Sequence, residues 1–103
     1  MSDADVKMIG VRSKLKKHRK SLREMIEIDF GLLDELHRVH CLTSSQLKEI
    51  NEKETTLKRT NCLLSFIYRL SPKKYDMFLE ALKKCNQQHI VNFIEYDGGL
   101  FSL

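Results

Sequence analysis

Apolar residues recur along this chain at intervals of three, four and seven, with almost no interruption. That is the period of helices that bury one face. Over residues 5–28 the series is Met8, Val11, Leu15, Leu22, Met25 and Ile26, which predicts one long first helix. Gly10 and Ser13 are weak helix formers and would admit a bend near its start. A second helix is predicted over residues 29–40, with Leu32, Leu33, Leu36 and Val39 inward and Asp29 as its cap. Thr43 followed by Gln46 is a capping box for a short third helix that turns Leu47 and Ile50 inward.

Thr55 or Thr56 then caps a fourth helix reaching about residue 70, with Leu57, Leu63, Leu64, Ile67 and Leu70 as its buried side. Ser71-Pro72 is a start signal, a cap followed by proline at the first helical position. The fifth helix runs to about residue 85 and buries Tyr75, Phe78, Leu79 and Leu82. The sixth, over residues 87–96, carries Ile90, Val91, Phe93 and Ile94 and stops at Gly98-Gly99. The pattern therefore predicts an all-α fold, an antiparallel bundle of six short helices. The expected organisation is one domain over residues 1–97 and a short frayed tail over 98–103.

Composition narrows the class without changing this picture. A chain of 103 residues holds one modest core. Its 42% hydrophobic and 31% charged residues make a globular balance. One proline and four glycines argue against a turn-rich sheet protein. No apolar run approaches the roughly 20 residues that span a bilayer. The segment Met1-Ser2-Asp3-Ala4-Asp5 lacks the apolar centre of a secretion signal. Cys41, Cys62 and Cys85 are an odd, widely spaced set, which suits reduced thiols in a cytoplasmic protein and buried filler positions.

Charge is segregated. Residues 12–23 hold seven Lys and Arg and no acid; residues 29–54 hold six acids against three bases; residues 57–75 hold five bases and again no acid. At about 100° per residue, Arg12, Lys16, Arg19, Lys20 and Arg23 fall in an arc of about 100° beside the apolar stripe. The first helix thus offers a core face and a basic ridge, and the whole chain a bipolar surface suited to steering a partner.

Candidate chemistry is sparse. His37, His40 and Cys41 form the best metal set, because His at i and i+3 share a helix face, but no second ligand pair with suitable spacing exists. No nucleophile motif, phosphate loop or Gly-rich turn is present, and the carboxylates of Asp34-Glu35 splay apart on a helix. The expectation is a chain with no catalytic activity, cofactor or metal. The basic ridge admits four readings. A solvated face is the plain one. Nucleic-acid binding is the alternative function, since Lys and Arg clusters neutralise phosphates, but the aromatic residues sit at core spacings. Membrane contact is disfavoured because the same helix needs its apolar face for the core. Docking onto acidic groups of another protein fits best.

Three further runs are informative together. They are Leu42-Thr43-x-x-x-Leu47-x-Glu49-Ile50-Asn51, then Thr56-Leu57-Lys58-Arg59-Thr60-x-x-Leu63-Leu64, then Ser71-Pro72-Lys73-Lys74-Tyr75-Asp76-x-Phe78-Leu79-Glu80-Ala81-Leu82. With Leu15-Lys16-Lys17-His18-Arg19-x-x-Leu22, the ordered set resembles the caspase-recruitment (CARD) family of the death fold. It is most similar to the CARDs of initiator caspases and of caspase-recruiting adaptors. The resemblance covers about residues 5–95 and implies a six-helix Greek-key bundle, often with a bent first helix. It also implies homotypic CARD–CARD binding in apoptotic or inflammatory signalling, with self-association as a variant, and leaves open that the chain is a caspase prodomain or part of an adaptor.

In the common docking mode of that family, a basic surface on the first and fourth helices meets an acidic surface on the second and third. The resemblance maps the basic surface onto Arg12, Lys16, Arg19, Lys20, Arg23, Lys58 and Arg59. It maps the acidic one onto Asp34, Glu35, Glu49 and Glu52, interrupted by Arg38, Lys48 and Lys53. Reversing Arg19 or Arg59 to Glu is expected to abolish partner binding with helical content and melting nearly unchanged. Tyr75, Asp76 and Phe78 are expected at a helix start and in the core rather than in a binding epitope.

Overall fold

The computed structural model describes residues 2–96. Among them are seven helices and no strand: α1 (Asp3–Lys17), α2 (Arg19–Met25), α3 (Leu32–Arg38), α4 (Ser44–Asn51), α5 (Thr56–Ile67), α6 (Pro72–Lys84) and α7 (Gln88–Glu95). The chain is therefore all-α, as its periodicity predicts. The expected Gly98-Gly99 stop and the tail lie outside the described residues.

Six predicted helices become seven because the first is interrupted, and the break is not where weak helix formers would put it. Gly10 and Ser13 sit inside an unbroken α1. The interruption falls at His18 (φ −104°, ψ 17°), which ends α1 and starts α2. Packing explains it. α1 lies against α6 while α2 lies against α5, so one amphipathic stretch serves two different helices by changing direction. The His18 ring meets Phe93 of α7 edge to face at 5.2 Å, which fixes the turn.

Local signals set most of the other boundaries. Thr43 and Gln46 form the reciprocal capping box, and Ser71 caps α6 with Pro72 at its first turn. Thr55 rather than Thr56 caps α5, accepting from the Lys58 amide at 3.1 Å. Asp29 does not cap the second predicted helix. Gly31 (φ +90°) starts α3, and Asp29 is turned toward Arg59. Both α3 and α6 end in the same device. His40 and Asn86 adopt φ near +60°, and the residues after them, Cys41 and Gln87, donate back to the carbonyls of Leu36 and Leu82 at 2.9 and 2.8 Å.

The core is continuous, with Met8, Leu22, Leu32, Leu36, Ile50, Leu63, Ile67, Phe78, Leu82 and Ile90 all but fully buried. Met25, Val39, Leu47 and Phe93 pack on its margin. Leu57 departs from expectation: it is 50% exposed, because it sits in the first turn of α5, ahead of the point where that helix enters the bundle.

One polar group is buried with purpose. The Gln87 side chain accepts from the Glu27 amide at 3.0 Å and donates to the Glu27 carbonyl at 2.9 Å, tying the α2–α3 connection to the α6–α7 turn. Gln87→Leu strands both backbone groups. It is expected to lower stability by about 1–3 kcal/mol in chemical denaturation with helical content preserved in buffer.

Candidate protein interaction surface

The basic residues of the first predicted helix do not share one role. Arg12 donates to the Tyr68 carbonyl from Nε (3.1 Å) and to the Leu70 carbonyl from Nη2 (3.3 Å), so it caps the end of α5. Arg19 grips the middle of that helix. Its Nε and Nη2 reach Asn61 Oδ1 at 3.1 and 2.9 Å, and Nη2 also reaches the Asn61 carbonyl and Ser65 Oγ, each at 3.0 Å. Arg23 is half-buried, with an Nε that has no hydrogen bond among the described residues. Lys16 and Lys20 are exposed and stand on either side of the Arg19 anchor along the ridge.

Arg19 is thus structural as well as charged, which corrects the expectation that reversing it leaves stability untouched. Charge-assisted bonds of this kind contribute about 1.5–3 kcal/mol each at most and are not additive. Arg19→Ala is expected to cost about 2 kcal/mol in thermal denaturation. Arg19→Lys should recover little, because a lysine lacks the planar fork.

Helix α5 carries the rest of the basic surface. Arg59 and Asn61 are two residues apart, so about 200° separates them around the axis. Arg59 turns to the flank opposite Arg19, donating to Thr56 Oγ1 at 3.1 Å and pairing with Asp29 at 3.3 Å. Lys58 lies between these flanks, directed outward and opposite buried Thr60; its contact to Glu54, 3.7 Å, is an exposed i,i+4 pair of small consequence. Arg19 thus joins α2 to one flank of α5 at Asn61, with Lys58 directed outward and Arg59 on the other flank. Of the seven basic residues, Arg12, Arg19 and Arg59 are partly committed to holding α1, α2 and α5 in place.

The acidic residues are not gathered in the same way. Glu35 is taken up by Arg38 on its own helix and by Lys84 of α6 at 3.5 Å. Chiefly the Arg38 hydrogen bonds hold its carboxyl below the usual carboxylate range. A lowered folded-state pKa means that this pair adds stability above the ordinary carboxylate pKa and loses it as pH falls through the folded value. Asp34 borders a hollow between α3 and α4 together with Asp29 and Asn51. Glu49 is on the other flank of α4, about 200° from Asn51, where it accepts from the Cys62 thiol at 3.6 Å and neighbours Lys53 and Lys58. Glu52 is exposed at the end of α4. The four acids named from sequence thus fall on separate flanks, and Asp34 shares its hollow with Asp29, which pairs with Arg59.

Sequence periodicity missed two exposed apolar side chains next to these charges. Phe30, 77% exposed, follows Asp29, and Leu57, 50% exposed, precedes Lys58. Phe30 lies in a connection with no period to betray it, and Leu57 carries a misleading helical spacing.

Of the residues weighed for metal chemistry, His37 and Cys41 have other partners, and His40 takes the positive-φ position that ends α3. His37 Nε2 meets Ser44 Oγ at 3.0 Å, and buried Cys41 donates to the Lys74 carbonyl at 3.2 Å. No group of three or more His, Cys, Asp and Glu among the described residues is arranged to hold a metal ion. Burial raises the thiols of Cys41, Cys62 and Cys85 above the ordinary cysteine value, the direction opposite to an activated nucleophile. Tyr75 and Phe78 are buried while Asp76 is exposed, in keeping with a core role for the two rings. Among the described residues, no helix is long and apolar enough to cross a membrane.

A small helical bundle whose distinctive chemistry is a sorted surface charge is a protein-interaction module. Its family is also defined: the model of the caspase recruitment domain matches residues 12–97, and the chain belongs to that family. Neither the curated proteins nor the solved structures give a significant match to the chain. The CARD is a non-catalytic domain that binds other CARD or death-fold proteins in apoptotic and inflammatory signalling.

Proposed function

We propose that this CARD recruits, or is recruited by, an initiator caspase or its adaptor in the cytoplasm, and that its α1–α2–α5 surface is the side that docks. Lys16, Arg19, Lys20, Arg23, Lys58 and Arg59 face the acidic second- and third-helix surface of the partner CARD, with Arg12 supporting the layer from behind. The observation that carries this reading is the outward, unneutralised side of the layer. Lys16 and Lys20 are exposed and form no ion pair among the described residues, while Arg19 fixes α2 onto α5, so the positive charge is presented on a rigid platform. Asp34, Glu35, Glu49 and Glu52 form the complementary half in a self-associating arrangement, and their scatter makes it the weaker half. In this reading residues 1–97 fold as one six-helix Greek-key unit whose first helix is split into α1 and α2, with residues 98–103 as its tail.

The test is the salt dependence of binding to an initiator-caspase CARD. Exposed charges more than a Debye length apart, about 8 Å at physiological ionic strength, are largely screened. Raising the salt from low to several-fold above physiological is expected to weaken binding about tenfold or more, mostly through slower association. Salt-independent binding contradicts the proposal. So does a gel-shift in which a duplex oligonucleotide binds at physiological salt as tightly as the CARD.

A further inference from the structure

Helices α1, α6 and α7 leave a groove of about 320 Å³ between them. It lies on the flank of α1 that faces away from α5, since on α1 Gly10, in the groove, and Arg12, which bonds to the end of α5, are about 200° apart. Its floor is apolar: Val11, Leu79 and Ile94 are each at most 9% exposed and border it. Gly10 leaves the wall open, for a Cβ placed there would meet nothing within 4 Å. The volume is at the small end of the range of ligand clefts, roughly 300–1,000 Å³.

Lys7 and Lys14 stand on its α1 rim with no ion pair or hydrogen bond among the described residues, and on the α7 side the Glu95 carboxylate lies close enough to Tyr75 to help burial hold its hydroxyl protonated. Tyr75 is 2% exposed and lines the groove, yet its hydroxyl makes no hydrogen bond among the described residues. The hydroxyl itself is not sealed in the core and opens onto the groove. An apolar floor with two free ammonium groups along α1 describes a site for a ligand that is apolar on its inner face and anionic along its α1 edge.

We infer that this groove receives an acidic amphipathic helix from another protein. Lys7 and Lys14 are two turns apart on α1, about 10.5 Å, with Gly10 and Val11 between them. A helix lying along α1 meets that spacing with carboxylates at i and i+7 and apolar side chains at i+3 and i+4. The apolar pair then covers Val11, Leu79 and Ile94 over the gap at Gly10. This surface shares no residue with the α1–α2–α5 face, so the inference stands apart from the proposed docking mode and both sites can be filled at once.

The probe is a fluorescein-labelled peptide with glutamates at i and i+7 and leucines at i+3 and i+4 in an alanine–glutamine background. Anisotropy titration of the full chain at physiological ionic strength is expected to show saturable binding. The double variant Lys7→Glu, Lys14→Glu and the single variant Gly10→Leu are each expected to weaken it at least about tenfold. Gly10→Leu replaces a poor helix former by a good one, so its loss of binding cannot come from a melted α1. The double variant Lys48→Glu, Lys53→Glu, which changes net charge equally on α4 and beyond its end, should bind normally. Absence of binding overturns the inference. So does equal binding of a peptide with both leucines changed to alanine, or an equal loss in the Lys48, Lys53 control.

Discussion

Reversal of Lys16, Lys20 and Lys58 together to glutamate is expected to weaken binding to an initiator-caspase CARD by about 100-fold or more, with circular dichroism and melting close to those of the unaltered protein. The magnitude follows from placing like charges against an acidic surface, which costs several kcal/mol, where each 1.4 kcal/mol is tenfold in affinity. The neutrality of folding follows from position. Lys16 and Lys20 are exposed on the outer ridge, and Lys58 makes only an exposed 3.7 Å contact to Glu54. Surface changes of this type usually stay within about ±0.5 kcal/mol. The arginines are poorer probes. Arg19 supports α5 through Asn61 and Ser65, and Arg59 pairs with Asp29, so their reversal mixes loss of docking with loss of fold. A triple lysine variant that binds normally while folded removes this surface from consideration.

The second large effect lies in the core. Phe78 is fully buried in α6, in ring contact with Tyr75 at 6.1 Å between centroids. Phe78→Ala is expected to cost about 3–5 kcal/mol, the transfer loss of the ring plus the cavity it leaves. A domain of this size has a total of about 5–15 kcal/mol, so the variant stands near the edge of unfolding and its melting temperature falls by about 15 °C or more. Leu64→Ala, 5% exposed on α5, belongs to the same class at about 2–5 kcal/mol. Because these changes unfold the bundle, lost partner binding in them says nothing about the interface. A Phe78→Ala protein that melts like the parent would show that the ring is not packed as described.

Much of the fold was legible because its signals are local. The Thr43–Gln46 box, the Thr55 and Ser71 caps and the spacing of Tyr75, Phe78, Leu79 and Leu82 depend on residues within one or two turns, and they define α4, α5 and α6. The break at His18 was not legible. It is set by α1 and α2 choosing different partners, α6 and α5, which is tertiary information that overrides the helix propensity of Gly10 and Ser13. The same holds for Asp29, a plausible cap by type, which pairs instead with Arg59, 30 residues along the chain.

The candidate surface was half legible. A helical wheel places Arg12, Lys16, Arg19, Lys20 and Arg23 on one ridge, whereas the break at His18 divides them between α1 and α2. It does not say which of them bond to backbone, because the acceptors, the carbonyls of Tyr68, Leu70 and Asn61, are more than 40 residues away. The acids were harder still. Asp34 and Glu49 share a sign and a segment, but the rotation of α4 sends them to opposite flanks. Burial of Gln87 against Glu27 had no sequence signal at all, since glutamine is mostly a surface residue.

The most direct test of the docking assignment is amide hydrogen exchange of this protein, alone and saturated with an initiator-caspase CARD. Added protection is expected over residues 16–23 and 55–61, where the ridge and the first half of α5 meet the partner, with little change in α6 and α7. Protection confined to α3 and α4, or to α6 and α7, would contradict the assignment and move the docking surface to another side of the bundle.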